Sequence, residues 1–131
     1  MILQLDLESE TPIYMQIKQQ IMEGIALRSL VPGEPLPSVR SLAADLGINM
    51  HTVNKAYKLL KQDGYILIHR QKGVVVHPDG VPPADAEFLQ GLQGDLRPLI
   101  TEAVCRGMEK EQFIKKCKDI FAQFERERGN E

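Results

Sequence analysis

A mainly α-helical chain with one small β-hairpin is what this sequence predicts, on three observations. Apolar residues recur at helical spacing in five separate stretches of the 131-residue chain. Two short β-branched runs, 65–68 and 74–76, flank a polar loop. Two segments rich in Pro and Gly, 31–38 and 77–83, break the chain between periodic stretches.

The first helix starts at Thr11-Pro12, with Thr11 as the expected N-cap and Pro12 at the first helical position, where a missing N–H costs nothing. Ile13, Ile17, Ile21 and Ile25 recur every four residues and make one apolar stripe, ending near Leu27 or Arg28. Three prolines and a glycine in residues 31–38 then forbid helix and give a stiff, turning connector. Ser38 caps a short helix with Val39, Leu42, Ala43 and Leu46 on its apolar side, and Gly47 stops it. After one tight turn Asn49 caps a third helix, Asn49–Gln62, which buries Val53, Ala56, Tyr57 and Leu60 and stops at Gly64. Residues 65–68 and 74–76 pair as a hairpin whose loop is His69-Arg70-Gln71-Lys72-Gly73. Helix, helix, tight turn, helix and basic hairpin is the order of a winged helix-turn-helix.

Beyond a linker the chain is helical again. Phe88, Leu89, Leu92, Leu96, Leu99, Ile100, Ala103 and Val104 follow helical spacing to about Arg106, with Gly107 as the stop. Gly94 and Pro98 predict either a kink or two abutting helices there. A last helix carries Phe113, Ile114, Cys117, Ile120, Phe121 and Phe124. The expected organisation is a DNA-binding domain at 1–78, a linker at 79–84 and a helical dimerisation segment at 85–131.

Net charge is −2, yet residues 40–72 hold six Lys or Arg against two Asp. A local basic stretch in an acidic chain concentrates phosphate attraction on one face. In a helix-turn-helix the first helix braces the second, which enters the major groove. Asn49, Met50, His51, Thr52 and Asn54 open the second helix and are the candidate base contacts. Lys55 and Lys58 lie further along and would meet phosphates, Arg40 reaches a guanine edge or a phosphate, and the wing residues Arg70, Gln71, Lys72 and Gly73 reach a neighbouring minor groove or backbone. A winged helix that docks on protein instead, without DNA, is the competing reading; it predicts no steep salt dependence.

Other classes have little support. His51, His69 and His77 share no metal-ligand spacing, and neither a GxGxxG nor a GxxxxGKS/T phosphate loop occurs, so no enzyme, metal or cofactor is expected. Residues 1–10 have no signal-peptide pattern and no apolar run approaches a bilayer span, so a cytoplasmic protein without a membrane partner is expected. Cys105 and Cys117 read as small core residues kept reduced.

The segment PGEPLPSVRSLAADLGINMHTVNKAYKLLKQDGYILIHRQKGVVV, residues 32–76, closely resembles the GntR family of bacterial transcription regulators. The shared pattern is PGxxLPSxRxLA at 32–43, GINxxTV at 47–53, AYxxL at 56–60, GYI at 64–66 and the wing glycine Gly73. With TPIYMQIKQQI upstream, the resemblance covers roughly residues 10–78. It implies a homodimer on a pseudo-palindromic operator, with contacts at Ser38 and Arg40, at Asn49, Met50, His51, Thr52 and Asn54, and at Gly73. Met50 and Asn54 depart from the family, whose members commonly carry Arg there, so another member's operator sequence does not transfer.

About fifty residues follow Pro78, too few for the large ligand-binding domains of most members. A tail of two helices resembles the YtrA-type subfamily, in which the tail serves mainly to dimerise and whose members often control transporter operons. Amphipathic helices with few partners in their own chain gain most by packing against a twin. The expected seam is Phe88, Leu92, Leu96, Leu99, Ile100, Phe113, Cys117, Ile120, Phe121 and Phe124. Blocking a promoter by occupancy makes a repressor the expected mode; an effector is not identified, and a small cavity between the C-terminal helices lined by Phe88, Leu92, Phe113 and Phe121 is the place it would occupy.

Overall fold

Seven elements make up residues 3–129, which the computed structural model describes: α1 (Ile13–Ala26), α2 (Val39–Leu46), α3 (Met50–Gln62), β1 (Ile66–His69), β2 (Gly73–Val76), α4 (Ala86–Cys105) and α5 (Lys110–Gly129). The chain divides into two compact units, Met1–Pro82 and Pro83–Glu131.

The core of the first unit is what the apolar periodicity requires. Ile17 and Ile21 of α1, Leu42 and Ala43 of α2, Val53, Ala56, Tyr57 and Leu60 of α3, and Ile66, Val74 and Val76 of the hairpin are all buried together. Both α1 and α2 pack on α3, which is therefore held from two sides. Ser38 caps α2 as expected, its Oγ accepting the Ser41 N–H at 3.1 Å. Gly47 ends α2 at φ +67°, a left-handed turn that lets the chain reverse into α3 without a Cβ penalty.

Three local expectations need correction. Pro12, not Thr11, is the N-cap of α1: its ψ of 148° is extended, so helical geometry begins at Ile13, and no side chain caps the end. The Thr11 carbonyl instead accepts from Gln16 Nε2 at 2.9 Å. The first strand is shifted by one residue, because the Tyr65 N–H is still committed to the Leu60 carbonyl at the exit of α3, and the second begins one residue early at Gly73. His69 consequently pairs with Gly73, and the loop shortens to Arg70-Gln71-Lys72.

Two features went unread in the sequence. The proline-rich connector is more than a spacer: Leu36 N–H donates to Val74 O, Val76 N–H donates to Glu34 O, and Pro35 bridges Val75. It lies along the free edge of β2, where a residue without an N–H is tolerated. Before α1, two glutamines one turn apart act as a substitute strand. The Gln20 side-chain amide both accepts from Gln4 N and donates to Gln4 O, and Gln16 does the same for Asp6.

In the second unit Asp85 caps α4, its Oδ1 accepting from the Phe88 N–H at 2.8 Å. Gly94 and Pro98 do not divide α4, which remains one helix of 20 residues. Pro98 only withholds an N–H from the Gly94 carbonyl, and the turns on either side keep their bonds. Gly107 ends α4 before α5 begins. No residue of α4 or α5 is buried. Cys105 is exposed and Cys117 half-buried, so neither is a core residue of this chain: two helices alone do not enclose an interior. Among the described residues no helix is long and apolar enough to cross a membrane.

Candidate nucleic-acid interface

The face of α3 opposite its buried stripe follows from helical geometry. With Val53, Ala56, Tyr57 and Leu60 inside, residues 51, 54, 55 and 58 must point outward, and all four are exposed. They are His51, Asn54, Lys55 and Lys58. Met50 is exposed at the first turn and Thr52 is half-buried at the flank of the face. Ser38 and Arg40 are exposed at the start of α2. Arg40, Lys55, Lys58, Arg70 and Lys72 make no ion pair among the described residues, so their charge is not spent internally.

Asn49, a candidate base contact, is also the helix cap that its position predicts. Its Oδ1 accepts the His51 N–H at 2.8 Å and caps α3. Only its amide NH₂ is left to face outward, so Asn49→Ala removes a cap as well as a donor. Asn49→Ser keeps a capping oxygen, removes the amide donor without adding charge, and is the cleaner probe.

The wing is ordered by His69, not by its glycine alone. His69 Nδ1 accepts from the backbone N–H groups of Gln71 and Lys72, each at 3.1 Å, which folds the tip over the end of β1. Gly73 follows at φ +75°, a left-handed residue that opens β2 opposite His69. Arg70, Gln71, Lys72 and Gly73 are left exposed at that tip.

Tyr57 ties the two helices to the connector that precedes them. Its hydroxyl donates to the Pro37 carbonyl at 2.8 Å and thereby fixes the residue just before the α2 cap. Tyr57→Phe should lower stability by about 1 kcal/mol, because a carbonyl loses its partner in a place water reaches poorly. Burial also pushes the Tyr57 phenol up to about 12, and burial with the Asp63 charge raises Tyr65. The folded chain thus favours the neutral phenols. Stability should be intact below pH ~10 and fall as pH climbs toward 12, the window between free and folded values. Urea midpoints across that range should fall less steeply in Tyr57→Phe than in the wild type.

The expected dimer-seam residues are all on the outside of this chain or only half-covered. Phe88, Leu92, Leu99, Ile100, Ile120 and Phe121 are exposed, with Phe121 at 71% and Leu99 at 59%. Leu96, Phe113, Cys117 and Phe124 are half-buried. An open recess of about 740 Å³ runs on α4 along Leu96, Arg97, Ile100, Val104 and Cys105, and none of Phe88, Leu92, Phe113 and Phe121, where an effector cavity is expected, lines it. Among the described residues no cluster of His, Cys, Asp and Glu could hold a metal ion.

Residues 13–76 match the family described as "Bacterial regulatory proteins, gntR family". Over 120 residues the chain is 36% identical to the HTH-type transcriptional repressor YtrA of Bacillus subtilis (strain 168), covering 92% of each. Among solved structures it is similar to YtrA from Sulfolobus acidocaldarius, a GntR-family transcription factor, with a TM-score of 0.60 and 42% identity over 80% of this chain and 99% of that one. It is also similar to a transcriptional antiterminator from Listeria monocytogenes EGD-e, with a TM-score of 0.85 and 27% identity over 95% of this chain and 92% of that one.

Proposed function

Because the chain belongs to the GntR family of bacterial transcription regulators, we propose that it acts in the cytoplasm as a homodimeric repressor on a pseudo-palindromic operator. The observation that carries this reading is the outward face of α3. Four polar or basic side chains are exposed in a row on a helix braced from two sides, with no internal charge partner among the described residues.

His51 and Asn54 read base edges from the N-terminal half of α3, where a helix in the major groove lies nearest the bases. Lys55 and Lys58 meet phosphates and set the register. The tip Arg70-Gln71-Lys72 lies on the adjacent backbone or minor groove. Two readers about 34–36 Å apart fit successive major grooves. The dimer blocks the promoter by occupancy. The similarity to the Bacillus repressor supports the sign of regulation, and the resemblance to YtrA-type regulators supports a transporter operon as the target.

Fluorescence anisotropy on DNA from the chain's own upstream region, beside a scrambled duplex and at several salt concentrations, tests this. The expected result is tight binding that prefers the native duplex and weakens steeply with salt. Weak binding, equal on both and flat in salt, favours a winged helix that docks on protein. Within the DNA reading, Asn54→Ala should cost about 1–3 kcal/mol on the preferred duplex and little on the scrambled one. Lys58→Ala should weaken both and reduce the salt slope by about one.

A further inference from the structure

The Lys55 ammonium does not stand free. Its Nζ lies 4.0 Å from the centre of the Tyr14 ring, on the neighbouring helix α1. Tyr14 is half-buried and packs against the core of the first unit, so its ring is a fixed platform and not a second mobile side chain. Lys55 follows His51 by one turn and precedes Lys58 by one turn on the outward face of α3.

We propose that Tyr14 is a positioning residue for Lys55, holding its ammonium where a DNA phosphate is to be met; this rests on the DNA-binding reading above. An exposed lysine has four rotatable bonds, and fixing them on binding opposes affinity. A ring that already holds the ammonium removes part of that cost in advance. The chemistry of the holder matters too. A carboxylate would neutralise the charge that a phosphate needs, as Asp63 does for Lys18 on the same pair of helices at 3.9 Å. An aromatic face attracts the cation through its quadrupole, leaves the full charge in place, and covers only one side of the ammonium. The N–H groups on the other side stay available to a phosphate oxygen. Two lysines contact a neighbour across this helix pair: Lys18 faces an acid, while Lys55 is steadied by a ring and keeps its charge available.

The test is a double-mutant cycle on the full chain, read by anisotropy on a random duplex across a salt series, with wild type, Tyr14→Leu, Lys55→Gln, the double variant and Tyr14→Phe. Lys55→Gln should lower the salt slope by about one. Tyr14→Leu should weaken binding by ~3–5-fold when Lys55 is present and have no effect in Lys55→Gln. Tyr14→Phe keeps the aromatic face and should stay within about twofold of wild type. The proposal is overturned by Tyr14→Leu costing the same with and without Lys55, or by Tyr14→Phe losing as much as Tyr14→Leu, which would make the hydroxyl the contact. An unchanged slope in Lys55→Gln also overturns it, while the DNA reading would still stand on Lys58. A wild type without salt-steep binding removes both together.

Discussion

Full-length chain carrying Leu99→Glu with Phe121→Glu should sediment as a monomer and bind its operator at least about a hundredfold more weakly than wild type. The motive is the state of α4 and α5. Phe88, Leu92, Leu99 and Ile100 fall on one side of α4, and all four are exposed. An apolar surface this continuous is rare on a monomer unless something covers it. A second copy is the simplest cover, since it offers the same surface in return. Two buried glutamates without partners would oppose that association strongly.

The operator arm of this prediction follows from linkage of two readers. Each reader on its own half-site binds weakly. Joined in one dimer, the second contact becomes intramolecular, and the combined affinity rises by ~10²–10⁴ without any new contact. Separating the protomers removes that gain and leaves each reading face intact. Binding to a single half-site should therefore survive in the double variant, while binding to the paired site collapses. The thermal transition of the first unit should stay in place. A variant that remains dimeric would show that the seam lies elsewhere.

How far the sequence discloses this molecule depends on the distance between the groups involved. Helices α1 to α3 are legible because their signals are local: an Ile every fourth residue in α1, Ser38 three residues before the N–H it caps, Gly47 at the left-handed exit. The outward face of α3 is legible for the same reason, since four buried positions dictate the exposed ones. Contacts between elements are not legible. Nothing near Tyr14 announces Lys55, and nothing near Pro37 announces the Tyr57 hydroxyl. Gln16 and Gln20 read as ordinary polar positions, because a side-chain amide holding an extended backbone leaves no periodic trace. Asn49 shows how one residue can be legible in two ways: it is a good cap and a good base contact, and its oxygen is already used by His51. Cys105 and Cys117 are not core residues, because apolar helical surroundings imply a core only when enough elements are present to enclose one.

Leu60→Ala should separate stability from recognition more sharply than any change on the DNA face. Leu60 is fully buried on the inner side of α3, against residues from α1, α2 and the hairpin. Truncating such a leucine costs about 2–5 kcal/mol, from lost transfer energy and the cavity left behind. A unit of this size has only about 5–10 kcal/mol to lose. The midpoint should therefore fall by more than ~10 °C, given ~4–8 °C per kcal/mol for a small domain. Because His51, Asn54, Lys55 and Lys58 lie on the opposite side of the helix, molecules that remain folded should bind random DNA with an unchanged salt slope. Added DNA should raise the midpoint again by mass action, since only the folded state presents the α3 face. Lys58→Ala should behave in the opposite sense, with its midpoint near wild type and its salt slope reduced. Were Leu60→Ala to alter the slope at a temperature where it is fully folded, the inner and outer sides of α3 would not be the independent surfaces that its burial pattern defines.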